Sequence, residues 1–142
     1  MMESTDKIFI TVAVKVEASL EKVWKCFNTP EHIVNWCFAS DDWHAPAAEN
    51  DFREGGKSTT TMAAKDGSFS FDFSWIYTKI KDLEALAYTL EDGRTVSVSF
   101  QQTEEGVLLT EIFEPESENS LELQKAGWQA ILDNFKKYVE QN

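Results

Sequence analysis

Apolar and polar residues alternate from Ile8 to Val16, placing Ile8, Ile10, Val12, Val14 and Val16 on one side, the period of a half-buried strand. Ser19 then precedes a stretch of helical period, Leu20 to Phe27, and predicts an N-capped helix burying Val23, Trp24 and Phe27. Lys22 in the third helical position rules out a reciprocal capping box, while Glu21 suits the positive end of the helix dipole. Thr29-Pro30-Glu31 opens a second short helix carrying Ile33, Val34 and Trp36, proline being tolerated in a first turn. Asp41 to Pro46 reads as a loop. From Asn50 the period is two. Phe52 leads into a Gly55-Gly56 turn, and strands are predicted over Lys57–Ala64, Phe69–Ile80, Leu83–Leu90, Arg94–Gln102 and Val107–Phe113. The chain closes with a helix from about Ser120 to Val139, with Asn119 as its expected cap and Glu122 three residues on. One stripe of that helix is apolar: Trp128, Ile131, Leu132, Phe135, Tyr138 and Val139.

Side-chain parity extends the pattern to strand pairing. An Asp66-Gly67 turn sets Ala64 opposite Phe69, Met62 opposite Phe71, Thr60 opposite Phe73 and Ser58 opposite Trp75, all on one face. Ser70, Asp72 and Ser74 then share the solvent face. Matching apolar faces across the next connection pairs Tyr77 with Leu86 and Trp75 with Tyr88. A three-residue Glu91-Asp92-Gly93 loop with Gly93 left-handed puts Leu90 opposite Arg94 and Tyr88 opposite Val96. Phe100 then meets Leu109, and Val98 meets Glu111. The inner face so built is aromatic, with small Ser58 and Thr60 among the rings. It also carries an acid, Glu111, between Leu109 and Phe113. An inward carboxyl needs a partner or a raised pKa, and Gln124, on the inner stripe of the long helix, and Arg94, at the rim, are the candidate partners. The face is either a solid aromatic core with one satisfied acid, or the wall of a cavity with a few polar anchors. A curved sheet with one apolar face needs cover, and the last helix is the element long enough to give it.

Composition changes the picture in three respects. The 142 residues fit a single domain, residues 1–142, and size scaling lets about two-thirds of the chain's surface be buried. Thirteen basic against 25 acidic residues leave a net charge of −12, with Arg53 and Arg94 the arginines, which disfavours nucleic acid and anionic membrane surfaces as partners. No apolar run is long enough to span a bilayer, and the polar stretch Met1–Lys7 lacks a signal-peptide core. Cys26 and Cys37 form no disulfide framework or zinc pattern, which points to a reducing, cytoplasmic setting.

Candidate chemistry is sparse. Asp41, Asp42 and His44 could form an acid/base pair or, with His32, a metal site, but no metal-ligand spacing accompanies them, and a capped turn with a surface histidine accounts for them. Gly55-Gly56 precedes a strand rather than a helix and so cradles no phosphate. Nothing near Cys37 in sequence lowers its pKa. Gly127 beside Trp128 marks either close helix–sheet packing or room for a guest under the helix. Glu111 is the leading polar candidate, as a general base, as a group orienting a ligand hydroxyl, or as a satisfied buried acid. No cofactor and no metal are expected.

Four strings carry a resemblance: EKVWKCFNTPEHIVNWCFASDDWH, DGSFSFDF with Tyr77 following, EDGRTVSVSF, and QKAGWQAILDNFKKYVE. With the order of elements, they make nearly the whole chain similar to the activator-of-heat-shock-ATPase-homologue family of the START-like superfamily, which includes polyketide cyclases and birch-pollen-allergen proteins. The resemblance implies an α+β helix-grip fold: a curved seven-stranded antiparallel sheet wrapped around a long C-terminal helix, two short helices after the first strand, and a cavity between sheet and helix. It implies a small hydrophobic ligand of lipid-, polyketide- or flavonoid-like character. The eukaryotic co-chaperones that gave the family its name carry a further N-terminal domain, which 142 residues do not accommodate. Similar sequences tend to be small at position 75 and large at position 58. Trp75 and Ser58 reverse this as a facing pair, a volume-compensating swap that reshapes the cavity.

The expectation is a binder rather than an enzyme. Trp36, Trp43, Met62, Phe71, Phe73, Trp75, Tyr77, Tyr88, Phe100, Phe113 and Trp128 would line the cavity, with Glu111 and Arg94 as polar anchors and Gln124 beside them. The alternatives are a cyclase- or hydrolase-type enzyme in the same cavity, and a regulator of a heat-shock ATPase recognising protein through the acidic surface. A monomer or weak dimer is expected.

Overall fold

The computed structural model describes residues 8–142, so the Met1–Lys7 stretch lies outside the described residues. Strand β1 (Ile10–Val16) is followed by helices α1 (Leu20–Asn28) and α2 (Pro30–Ile33), by six strands, β2 (Trp43–Asn50), β3 (Lys57–Ala64), β4 (Ser70–Lys81), β5 (Ala85–Leu90), β6 (Thr95–Thr103) and β7 (Gly106–Phe113), and by the long helix α3 (Leu121–Gln141). The strands form one antiparallel sheet in the order β1-β7-β6-β5-β4-β3-β2. This is the expected helix-grip architecture, with seven strands curled about α3.

Local chemistry explains the element ends. Ser19 Oγ accepts from the Lys22 N–H and starts α1 as expected. At α3 the cap is Ser120, whose extended backbone aims Oγ at the Leu123 N–H at 3.0 Å, rather than Asn119 one residue earlier. Ile8 stands outside β1 and is 61% exposed, so the inward stripe of that strand begins at Ile10.

Turn chemistry fixed three registers as expected. Ser58 faces Trp75 and Met62 faces Phe71, Tyr88 faces Val96, and Val98 faces Glu111. Gly93 takes φ +91°, the left-handed conformation its loop requires. The β4–β5 pairing differs from expectation: Trp75 faces Leu90 and Tyr77 faces Tyr88. An irregularity between Tyr77 and Lys79 inserts a residue, and beyond it Ile80 faces Leu86. The shift from Leu86 to Tyr88 is two residues, so Tyr77 keeps its inward face. Ser74, expected in solvent, is 5% exposed and shares a 2.9 Å hydroxyl hydrogen bond with Thr59 on the convex side.

The Asp41–Pro46 loop is in part a strand. β2 begins at Trp43 and forms the sheet edge, with its register broken between His44 and Ala47, around Pro46. Proline is tolerated at an edge, where a missing ladder donor costs least.

The core lies between sheet and α3. Leu132, Phe135 and Val139 are fully buried along the helix stripe, and Val16, Val107, Leu109 and Phe113 answer them from the sheet. α3 runs beside the free edge of β1 and covers it. Gln129 Nε2 donates to the Ala13 carbonyl at 2.9 Å, Lys136 Nζ donates to the Lys15 carbonyl at 2.7 Å, and the Glu17 N–H donates to Glu140 Oε2 at 2.8 Å. Unpaired strand groups are thereby satisfied, and the edge is closed to other strands.

Candidate functional site

Past Leu132 toward the N-terminus of α3, a cavity of about 280 Å³ opens between the helix and the sheet. The volume is slightly under the usual ~300–1,000 Å³ range of small-molecule sites. The sheet supplies Met62 from β3, Phe71, Phe73 and Trp75 from β4, Tyr88 from β5 and Glu111 from β7. α3 supplies Gln124, Trp128 and Ile131 as the roof, α1 gives Phe27, and Trp36 and Cys37 follow α2. Arg94, Glu116 and Asn119 complete the rim.

Ring contacts set the walls. Trp75 stacks on Tyr88 at 4.2 Å, and Trp128 stacks on Phe113 at 3.9 Å. Phe73 meets Trp128 edge-on at 6.2 Å, bridging sheet and helix. Trp36 is anchored by its indole N–H, which donates to the Cys26 carbonyl at 2.9 Å, and its ring stacks on Phe27. Such pairs hold large side chains in one rotamer, so the wall is preorganised.

Glu111 is buried, at 7% exposure, and its carboxyl makes no hydrogen bond or ion pair among the described residues. Burial pushes its pKa up to about 8. Both expected partners are engaged elsewhere. The Gln124 amide donates to the carbonyls of Glu116 and Asn119 and accepts from the Glu116 N–H, tying α3 to the segment before it. Arg94 Nε donates to Asp92 at 2.7 Å, and its Nη1 donates to the Glu114 carbonyl at 3.3 Å. Burial and the Glu111 charge together push the Cys37 thiol up to about 12 and hold the Tyr88 phenol well above its ordinary value. Cys37 is therefore a neutral wall group rather than a nucleophile.

Four expected residues lie off this cavity. Tyr77 is buried against Phe52, Trp75 and Tyr88. Phe100 packs on Trp24 and Phe27, and Phe113 lies behind Trp128. Trp43 touches Phe69 and Phe71 and lines an outer groove that continues from the cavity mouth along Leu123, Gly127 and Trp128. Phe27, Cys37, Glu116, Asn119 and Ile131 line the cavity without having been expected there. Ile131 belonged to the predicted apolar stripe, and that stripe was the signal for it. The close-packing reading of Gly127 is overturned: a Cβ there would meet nothing within 4 Å, so the glycine faces open space.

Beside Trp75, the Trp75 indole, Asn50 and Ser58 gather around the buried Tyr77 phenol and temper the rise that burial gives its pKa, whereas Thr60 Oγ1 has no hydrogen-bond partner among the described residues. Among the described residues, no group of three or more His, Cys, Asp and Glu side chains could hold a metal ion, and no helix is long and apolar enough to cross a membrane.

Residues 17–140 match the model of the family described as Activator of Hsp90 ATPase homolog 1-like protein. Among solved structures, that of an AHSA1-like protein from Aeromonas hydrophila is similar at 40% identity and a TM-score of 0.90, over 94% of this chain and 93% of that one. A protein of Cytophaga hutchinsonii is 51% identical with a TM-score of 0.78, over 96% and 93% of the two chains. A protein of Chromobacterium violaceum shares the fold at 19% identity, with a TM-score of 0.81 over 95% and 99%. No curated protein matches.

Proposed function

The chain belongs to the Activator of Hsp90 ATPase homolog 1-like family, and from that footing we propose that it binds one small hydrophobic or aromatic ligand, of lipid-, polyketide- or flavonoid-like character, between the sheet and α3. One observation carries the proposal: an aromatic-walled cavity of about 280 Å³ contains a buried carboxyl with no partner among the described residues. Apolar walls supply affinity through area removed from water, and a lone polar group fixes orientation. Arg94, Glu116 and Asn119 mark the mouth. The two cysteines are free and buried, which suits a reducing, cytoplasmic setting.

The test is a thermal-shift and ligand-observed NMR screen of aromatic and fatty compounds, with Met62→Trp as the variant that fills the cavity. At least one compound should bind tighter than about 1 mM, or −4 kcal/mol, and lose tenfold or more in the variant. Absence of any such compound contradicts the proposal. The family description also supports a regulatory reading, in which the domain stimulates a heat-shock ATPase. An ATPase assay with and without the protein decides it, and no change in rate rejects it.

A further inference from the structure

Resting on that reading of the cavity, we propose that its guest carries a basic nitrogen, held as an ammonium by the Glu111 carboxylate within the ring of aromatic side chains.

Glu111 meets no charged group among the described residues of the strands beside it. Its neighbours across the ladder, Val12 on β1 and Val98 on β6, are apolar. Cys37 and Tyr88, which feel its charge, are both held neutral. α3 presents Gln124, Trp128 and Ile131 to the cavity, none of them titratable. At the rim, Arg94 is the cation, and Asp92 already engages it. Glu116 is the other rim charge, its carboxylate held by the N–H groups of Glu118 and Asn119. Among the described residues no group therefore supplies a complement to the Glu111 carboxylate, which leaves that role to a guest. Aromatic rings attract cations, and Trp36, Phe73, Trp75, Tyr88 and Trp128 enclose the space. The net charge of −12 draws cations toward the molecule. A carboxylate guest would instead set a second acid beside the first.

The proton on Glu111 gives the proposal a sign. Near pH 7 the empty site holds the carboxyl mainly protonated, so an ammonium must expel that proton to form the pair. Its affinity then climbs as pH rises toward 8. A neutral guest accepting a hydrogen bond from the protonated acid shows the opposite trend: constant affinity below pH 8, weakening above it.

The experiment is isothermal titration of the full chain at pH 6, 7 and 8 with three probes on one scaffold: 2-naphthylmethylammonium, 2-naphthylmethanol and 2-naphthoate. The expected result is an ammonium that binds roughly tenfold or more tighter than the alcohol at pH 8, gains about tenfold or more between pH 6 and pH 8, and releases a proton on binding. Naphthoate should be weakest. In Glu111→Gln the ammonium preference over the alcohol and its pH slope should both vanish. An alcohol that binds as tightly as the ammonium, an ammonium affinity that is flat or falls with pH, or a preference for naphthoate overturns the proposal while leaving the cavity as a binding site. Failure of all three probes to bind overturns both.

Discussion

Glu111 makes the molecule's pH response unusual at the scale of a single residue. Its carboxyl titrates near an ordinary value in the unfolded chain and near 8 in the folded one. Between those values the folded state holds the extra proton, so raising the pH favours unfolding. The sign is opposite to that of a salt-bridged carboxylate: the contribution of Glu111 is intact at low pH and is lost as pH rises through 8. Linkage sets a ceiling of about 5 kcal/mol on the loss. Glu111→Gln should therefore be markedly more stable than the parent at pH 8 and close to it at pH 5, by denaturant unfolding at both pH values. Thr60 offers a second prediction. The residue is 1% exposed and its hydroxyl has no partner among the described residues, so Thr60→Val should raise stability by about 1 kcal/mol. A lower melting temperature for that variant would contradict this reading of the site.

Among the elements, the most legible were those whose ends are fixed by local chemistry. Asp66-Gly67 and Gly93 dictate turn geometry, and with it the β3–β4 and β5–β6 registers. The β4–β5 register escaped because its irregularity after Tyr77 and its turn through Leu83 at φ +62° follow from packing rather than from glycine or proline. β2 escaped because Pro46 interrupts its alternation. The cavity divided in the same way. Strand parity located Phe71, Phe73, Trp75, Tyr88 and Glu111. Phe27, Cys37 and Asn119 come from helices and loops whose placement over the sheet has no period to betray it. The partners foreseen for Glu111 were mistaken because Gln124 and Arg94 satisfy local carbonyls first. α3 carries its own prediction. A methyl at position 127 meets nothing, so Gly127→Ala should stabilise the protein by about 0.5–1 kcal/mol in thermal unfolding. Ser120→Ala should cost about 1 kcal/mol through the lost cap.

At the scale of the whole molecule, the sheet and α3 are packed solidly at one end and apart at the other. Leu132, Phe135 and Val139 close the first end, and Trp128 stands over the second. The division lets one helix provide both stability and the roof of a site, as long as its C-terminal half stays latched to β1 through Gln129, Lys136 and Glu140. The five tryptophans sample this division, and their indole N–H resonances report it individually. Trp36, Trp75 and Trp128 line the cavity, whereas Trp24 is buried away from it against Phe52 and Phe100. The most direct measurement is a titration of the ¹⁵N-labelled protein with 2-naphthylmethanol and, separately, with 2-naphthylmethylammonium, followed at those resonances. Saturable shifts at Trp36, Trp75 and Trp128 with Trp24 unmoved are the predicted result. Trp24 shifting as much as the other three, or no saturable shift at any of them, would contradict a guest beneath α3.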